Sequence, residues 1–129
     1  MGFDALWISP VVKNFKDGYH GYWASHFNEV NEHFGDEEDL KQLVRAAHER
    51  DIYVMVDVVP NHVGYLPAAD EFSAVEPFND ASHYHEDCEI RDWNDQWQLE
   101  NCRLCGLPDL AQENEFVRTQ LLEWVTRLV

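Results

Sequence analysis

Ile52-Tyr53-Val54-Met55-Val56-Asp57-Val58-Val59-Pro60-Asn61-His62 is the stretch whose reading decides the fold. From Ile52 to Val59 the residues are β-branched or apolar, with one carboxylate, Asp57, near the end. A run that does not alternate polar with apolar reads as a strand buried on both faces, the pattern of a parallel sheet. Pro60 has no N–H to give a ladder and marks the stop. An amide and an imidazole, Asn61 and His62, stand directly beyond it. Polar groups at the carboxyl end of a buried parallel strand lie where α/β folds keep their sites.

Working outward, Ala5-Leu6-Trp7-Ile8-Ser9-Pro10 has the same form and predicts a strand over about 5–9. Asp36-Glu37-Glu38-Asp39 opens a helix, because carboxylates favour the positive end of the helix dipole and Asp36 suits the N-cap. Leu40, Leu43, Val44 and Ala47 follow on one face, and the helix is expected to end near Arg50. Strand, loop, helix (about 36–50) and strand (about 52–59) make a βαβ unit, and the fold class is α/β. Val11 to Asn28 shows no sustained period and reads as loop, with the aromatic cluster Tyr19-His20-Gly21-Tyr22-Trp23 inside it. From Pro60 to about Leu107 periodicity fades. A structureless loop of that length is unusual, which favours a small inserted domain. Val117, Leu121, Trp124, Val125 and Leu128 then share one helical face. A strand near the first residue and an unfinished helix at Val129 lead us to expect a fragment of a longer protein.

The chain has 129 residues, with 25 Asp and Glu against 9 Lys and Arg, a formal charge of −16. Such a surface repels nucleic acid and anionic membrane and suits neutral ligands or cations. No apolar run approaches membrane-spanning length, and no leading signal segment is present in the chain.

Three constellations carry chemistry. At the strand end, Asp57 needs partners if buried; it is either a structural hydrogen-bond hub or part of a site. In Tyr19-His20-Gly21-Tyr22-Trp23, glycine lets the backbone approach a ligand closely and the rings offer faces on which sugars can stack; anchoring of the loop by its aromatics is the alternative. Third come Cys88, Cys102 and Cys105, the last leading into Gly106-Leu107-Pro108-Asp109-Leu110. With His83 and His85 nearby they could form a zinc site, but the paired spacing of a zinc ribbon is missing. A disulfide with one cysteine left over is the better reading, with three pairings open.

Taken together, these residues resemble the α-amylase family of glycoside hydrolases, most closely the fungal-type α-amylases. Asp57-Val58-Val59-Pro60-Asn61-His62 is similar to the family motif at the end of the third barrel strand. Tyr19-His20-Gly21-Tyr22-Trp23 is similar to its substrate-contacting loop after the second strand, and Leu107-Pro108-Asp109-Leu110 to a short motif near the end of its inserted domain B. The resemblance implies a partial (β/α)8 TIM barrel, about strand 2 to helix 3, with domain B inserted after strand 3. The implied division is partial barrel over 1–59, domain B over 60–110 and barrel helix 3 over 111–129.

The resemblance also implies roles. His62, Tyr22, His20 and Trp23 match substrate-binding residues, and Asp57 a carboxylate supporting the pocket. Asn61, Asp109 and Glu100, the last through its backbone carbonyl, match ligands of Ca2+, a hard cation that takes oxygen donors. Cys88 and Cys102 match a domain B disulfide, while Cys105 has no counterpart. Ala111 stands where the family motif usually has an acidic or amide residue.

The implied function is that of a retaining α-amylase hydrolysing internal α-1,4-glucosidic bonds of starch or glycogen, and binding an α-glucan such as starch, glycogen or maltooligosaccharides. None of its catalytic carboxylates is expected in this chain, so the chain alone is expected to be inactive and poorly folded. An α-glucosidase or transglycosylase of the same family, or a non-catalytic sugar-binding relative, is the alternative. A monomeric full-length protein is expected, and calcium and a disulfide point to a secreted, extracellular setting.

Overall fold

The computed structural model describes residues 2–129. In chain order it holds β1 (Ala5–Ile8), β2 (Val12–Asn14), β3 (Ala24–Val30), α1 (Glu37–His48), β4 (Tyr53–Val56), α2 (Gln96–Asn101) and α3 (Glu115–Leu128). Short 3₁₀ turns lie at Glu32–Phe34, Phe72–Ala74, Ala81–His83 and Leu104–Gly106.

The predicted βαβ unit is present. β1 and β4 pair in parallel, Ala5 with Tyr53 through Ile8 with Val56, and α1 lies against β4 in the crossover between them. Local chemistry sets the limits of α1. Asp36 accepts from the backbone N–H groups of Glu38 and Asp39, and Asp39 returns the bond to the N–H of Asp36, a capping box. At the other end Asp51 adopts φ 57° and Ile52 N donates to the Ala47 carbonyl at 3.0 Å, closing the last turn.

Two strand expectations are corrected. β4 ends at Val56, before Pro60, because its partner ends first: Ile8 is followed by Ser9 and Pro10, and the last ladder bond is Asp57 N to the Ile8 carbonyl at 3.0 Å. Nor are both faces buried, since Trp7 is 70%, Tyr53 75% and Met55 56% exposed. Among the described residues each of the two strands has only the other as a neighbour. On the side of β4 that carries Val56, Leu40 and Val44 of α1 line a cleft shared with Trp124 of α3.

The stretch from Val11 to Asn28, expected as loop, holds the antiparallel pair β2–β3. Its register shifts on both sides of Lys13, which breaks the alternation that marks a regular strand pair. This pair, rather than the parallel sheet, rests on the main core. Val12, Ala24 and Phe27 pack with Val63, Phe72, Val75, Phe78, Tyr84 and Leu110 and with Val117, Leu121 and Trp124 of α3. Phe27 meets Phe78 and Trp124 edge to face, each at 5.0 Å between ring centroids. The helical face expected near the C-terminus is thus in place, with Val117, Leu121 and Trp124 buried.

Candidate functional site

The aromatic loop is fixed first by Asn14, at the end of β2. Its side-chain oxygen accepts from Trp23 N at 2.8 Å, and its amide nitrogen donates to the carbonyls of Val12 at 2.9 Å and Gly21 at 3.3 Å. Gly21 has φ 90°, and a Cβ there would stand 2.8 Å from the Pro10 carbonyl oxygen. The backbone of Gly21 thus lies close against Pro10, just past the end of β1, which seats the loop over the strand ends. Within the loop His20 Nδ1 accepts from Tyr22 N at 3.0 Å. The His20 ring stacks on Tyr22 at 5.8 Å and meets Trp23 edge to face at 4.8 Å.

The loop and the strand end meet through three side chains. The Tyr22 hydroxyl donates to Asp57 Oδ2 at 2.9 Å. His62 is buried, and its Nε2 donates to the Tyr22 carbonyl at 3.3 Å. Because a carbonyl can only accept, that bond places the proton on Nε2 and leaves Nδ1 to accept from the Asn61 amide, also at 3.3 Å. Burial lowers the pKa of His62, against the Tyr22 carbonyl and the Asp109 carboxylate, which raise it. A neutral imidazole with this tautomer follows.

Asp109 lies behind His62 and is 3% exposed. Asn61 Nδ2 donates to its Oδ1 at 3.0 Å, and His85 Nδ1 to its Oδ2 at 2.7 Å. Nε2 of His85 reaches the Glu113 carboxylate at 3.0 Å. The backbones are knitted as well, Leu110 N to the Asn61 carbonyl at 2.9 Å and His85 N to the Asp109 carbonyl at 3.0 Å. Burial raises the pKa of Asp109, and its bonds to His85 and Asn61 do not cancel that effect. For His85 burial works against charge, but the carboxylates of Asp109 and Glu113 outweigh it and hold the pKa above the ordinary histidine value.

Two of the three residues expected as calcium ligands, Asn61 and Asp109, meet here. Asp109 is a buried carboxylate whose ion-pair partner is His85, at 2.7 Å, and the side-chain oxygen of Asn61 accepts no hydrogen bond among the described residues. Glu100 stands apart. It lies on α2 with its side chain exposed and bonded to Gln96 Nε2 at 2.7 Å, and no hydrogen bond joins it to Asn61 or Asp109. Among the described residues no group of three or more His, Cys, Asp or Glu is arranged to hold a metal.

Cys88 and Cys102 form a disulfide and Cys105 is a free, exposed thiol. That pairing removes two of the three thiols that a zinc site over this region needs. Sequence reading missed Asn14, Tyr65 and Glu113 and noticed His85 only as a zinc candidate. An asparagine at a strand end and a histidine beside acidic residues are the sole signals they carry.

Comparison with known proteins gives a consistent picture. A family model described as alpha amylase, catalytic domain, matches residues 1–129. An alpha-amylase of Saccharomycopsis fibuligera is 40% identical across all of this chain, which spans 28% of that relative's length. Among solved structures, an alpha-amylase from Malbranchea cinnamomea superposes with a TM-score of 0.91 at 42% identity, over 99% of this chain and 29% of its own. One from Geobacillus thermoleovorans, complexed with acarbose, gives 0.85 at 49% identity over 95% of this chain and 26% of its own. The fold is accordingly part of a (β/α)8 barrel.

Proposed function

The chain belongs to the alpha-amylase family, by a match to the catalytic-domain model over its whole length, and we propose that it supplies the glucan-contacting pocket wall and the calcium tie of a retaining α-amylase. The substrate is an α-glucan such as starch, glycogen or a maltooligosaccharide, cleaved at internal α-1,4 bonds. The observation that carries this reading is the junction of Tyr22, Asp57 and His62, which joins an aromatic loop to the polar residues that follow β4.

In this mechanism the Tyr22 ring stacks on the sugar at the cleavage point, and Asp57 holds its phenol from beneath. His62 presents its Nε2–H to a sugar hydroxyl by exchanging the long 3.3 Å bond to the Tyr22 carbonyl. Both contacts orient the sugar ring, which lowers the barrier by positioning rather than by bond making. His20 and Trp23 extend the same wall. The Asn61 side-chain oxygen, the Asp109 carboxylate and the Glu100 carbonyl would hold calcium, which would tie the 60–110 excursion to the barrel. We take 1–59 and 111–129 as barrel and 60–110 as domain B.

Retaining hydrolysis needs a carboxylate nucleophile and an acid–base carboxylate about 5–5.5 Å apart. We assign neither to this chain; its part is to hold substrate for them. The setting that fits calcium and a disulfide is extracellular.

The test is starch hydrolysis by the full-length protein and its His62→Asn variant. Calcium-dependent release of reducing ends, reduced at least tenfold by the substitution, supports the reading; an α-glucan-inert protein that still binds maltoheptaose favours the non-catalytic relative instead. Residues 1–129 purified alone should release nothing, and measurable cleavage by them overturns that assignment.

A further inference from the structure

Tyr65 is a half-exposed tyrosine that takes no part in the buried core, yet two contacts hold it, one to Trp23 and one to the Cys105 carbonyl. It follows Gly64, where a Cβ would lie 2.6 Å from the Trp23 carbonyl oxygen and 2.6 Å from the Phe15 ring. The chain leaving His62 is therefore pressed against the base of the aromatic loop, and Gly64 N donates to the Ala24 carbonyl at 2.9 Å. One residue on, the Tyr65 ring stands edge to face against Trp23, with ring centroids 5.1 Å apart and planes at 75°. Its hydroxyl donates to the Cys105 carbonyl at 2.7 Å, across 40 residues of sequence. Its Cε1 is 3.8 Å from where a Cβ on Gly106 would be.

The Leu104–Gly106 turn that receives this hydroxyl has an unusual backbone. Cys105 has φ 54° and Gly106 φ 78°, and a left-handed conformation at a non-glycine residue persists only where surrounding contacts hold it. Tyr65 supplies one such contact, and the same ring props the indole of Trp23. Trp23 in turn meets His20, which stacks on Tyr22. One side chain thus links the end of the excursion to the pocket wall.

We propose that Tyr65 is a positioning residue for glucan binding: through the Cys105 carbonyl on one side and the Trp23 ring on the other, it fixes the aromatic wall against which the glucan rests. The inference depends on the reading of that wall as a glucan site. Tyr65 touches no reacting atom, so its loss acts on binding and leaves the chemical step alone.

The experiment measures KM and kcat for maltoheptaose with the full-length protein, wild type, Tyr65→Phe and Tyr65→Ala, each with its thermal transition. Phe keeps the ring on Trp23 and loses the hydroxyl bond, so KM should rise about 2–10-fold, as expected for one hydrogen bond. Ala loses both contacts and should raise KM further, while kcat stays within about twofold in each variant. Partial recovery on going from Ala to Phe is the signature of the ring contact. An unchanged KM in Tyr65→Ala overturns the proposal, as does a kcat that falls with the folded fraction at constant KM, since that marks a merely structural residue. If the wild-type protein neither cleaves nor binds maltoheptaose, the glucan reading itself fails and takes this inference with it; a wild type that cleaves with variants that match it defeats the inference alone.

Discussion

Asn61 and Asp109, 48 residues apart, meet side chain to side chain: the amide of one donates to Oδ1 of the other at 3.0 Å, and Leu110 N bonds the Asn61 carbonyl at 2.9 Å. The contact ties the loop after β4 to the far end of the long excursion. Asp109, whose ion-pair partner is His85, and Asn61 are the two residues of the proposed calcium tie that the structure brings into contact.

Asp109→Ala removes the one formal negative charge from the proposed ligand set. Calcium affinity of the full-length protein, measured by titration calorimetry, should fall on the order of a hundredfold, since charge count tunes such sites over several decades. For the wild type, calcium at 100 times its Kd adds about 2.7 kcal/mol to stability, and chelation should lower Tm accordingly. Equal Tm with and without chelator would refute the calcium tie.

Tyr22→Phe keeps the ring and deletes the hydroxyl that reaches Asp57 at 2.9 Å. Stacking survives but its orientation loosens, so kcat/KM for starch should drop about tenfold, in line with loss of a hydrogen bond to a charged group. A variant with wild-type kcat/KM excludes a bracing role for Asp57.

Gly21→Ala places a Cβ 2.8 Å from the Pro10 carbonyl oxygen at a backbone φ of 90°. The loop must lift from the strand ends, costing on the order of 1–3 kcal/mol of stability and weakening maltoheptaose binding. Wild-type Tm together with wild-type affinity would contradict the seating of the loop by this glycine.

Replacing Cys88 and Cys102 by serine opens a loop whose ends are 14 residues apart. Chain entropy puts the loss near 3 kcal/mol, and denaturant melts of the full-length protein should read it. A reducing agent should reproduce the effect in the wild type and leave the double variant unmoved.

Much of the fold was legible because its signals are local. The acidic first turn with Asp36 as N-cap and the single apolar face of Val117, Leu121 and Trp124 need only neighbouring residues, and α1 and α3 stand where those signals put them. Strand length was not legible: β4 stops at Val56 because its partner meets Pro10, a fact about another part of the chain. The β2–β3 pair escaped notice because register shifts around Lys13 break its alternation. Phe72, Val75, Phe78 and Tyr84 form core from aperiodic turns, so no pattern in the sequence marks them as buried. At the site, Tyr22, Asp57, Asn61, His62 and Asp109 were named from motifs and do converge, whereas Glu100 makes no bond to them. Tyr65 and Asn14 work through backbone carbonyls and ring edges, contacts that leave no spacing rule behind.

The most direct measurement follows, by proton NMR, the anomeric configuration of the sugars first released when the full-length protein cleaves maltoheptaose. A retaining α-amylase releases the α-anomer first, with the β-anomer appearing only by mutarotation, and His62→Asn slows that release without altering its stereochemistry. Initial release of the β-anomer, or no release from a folded, calcium-loaded protein, contradicts it.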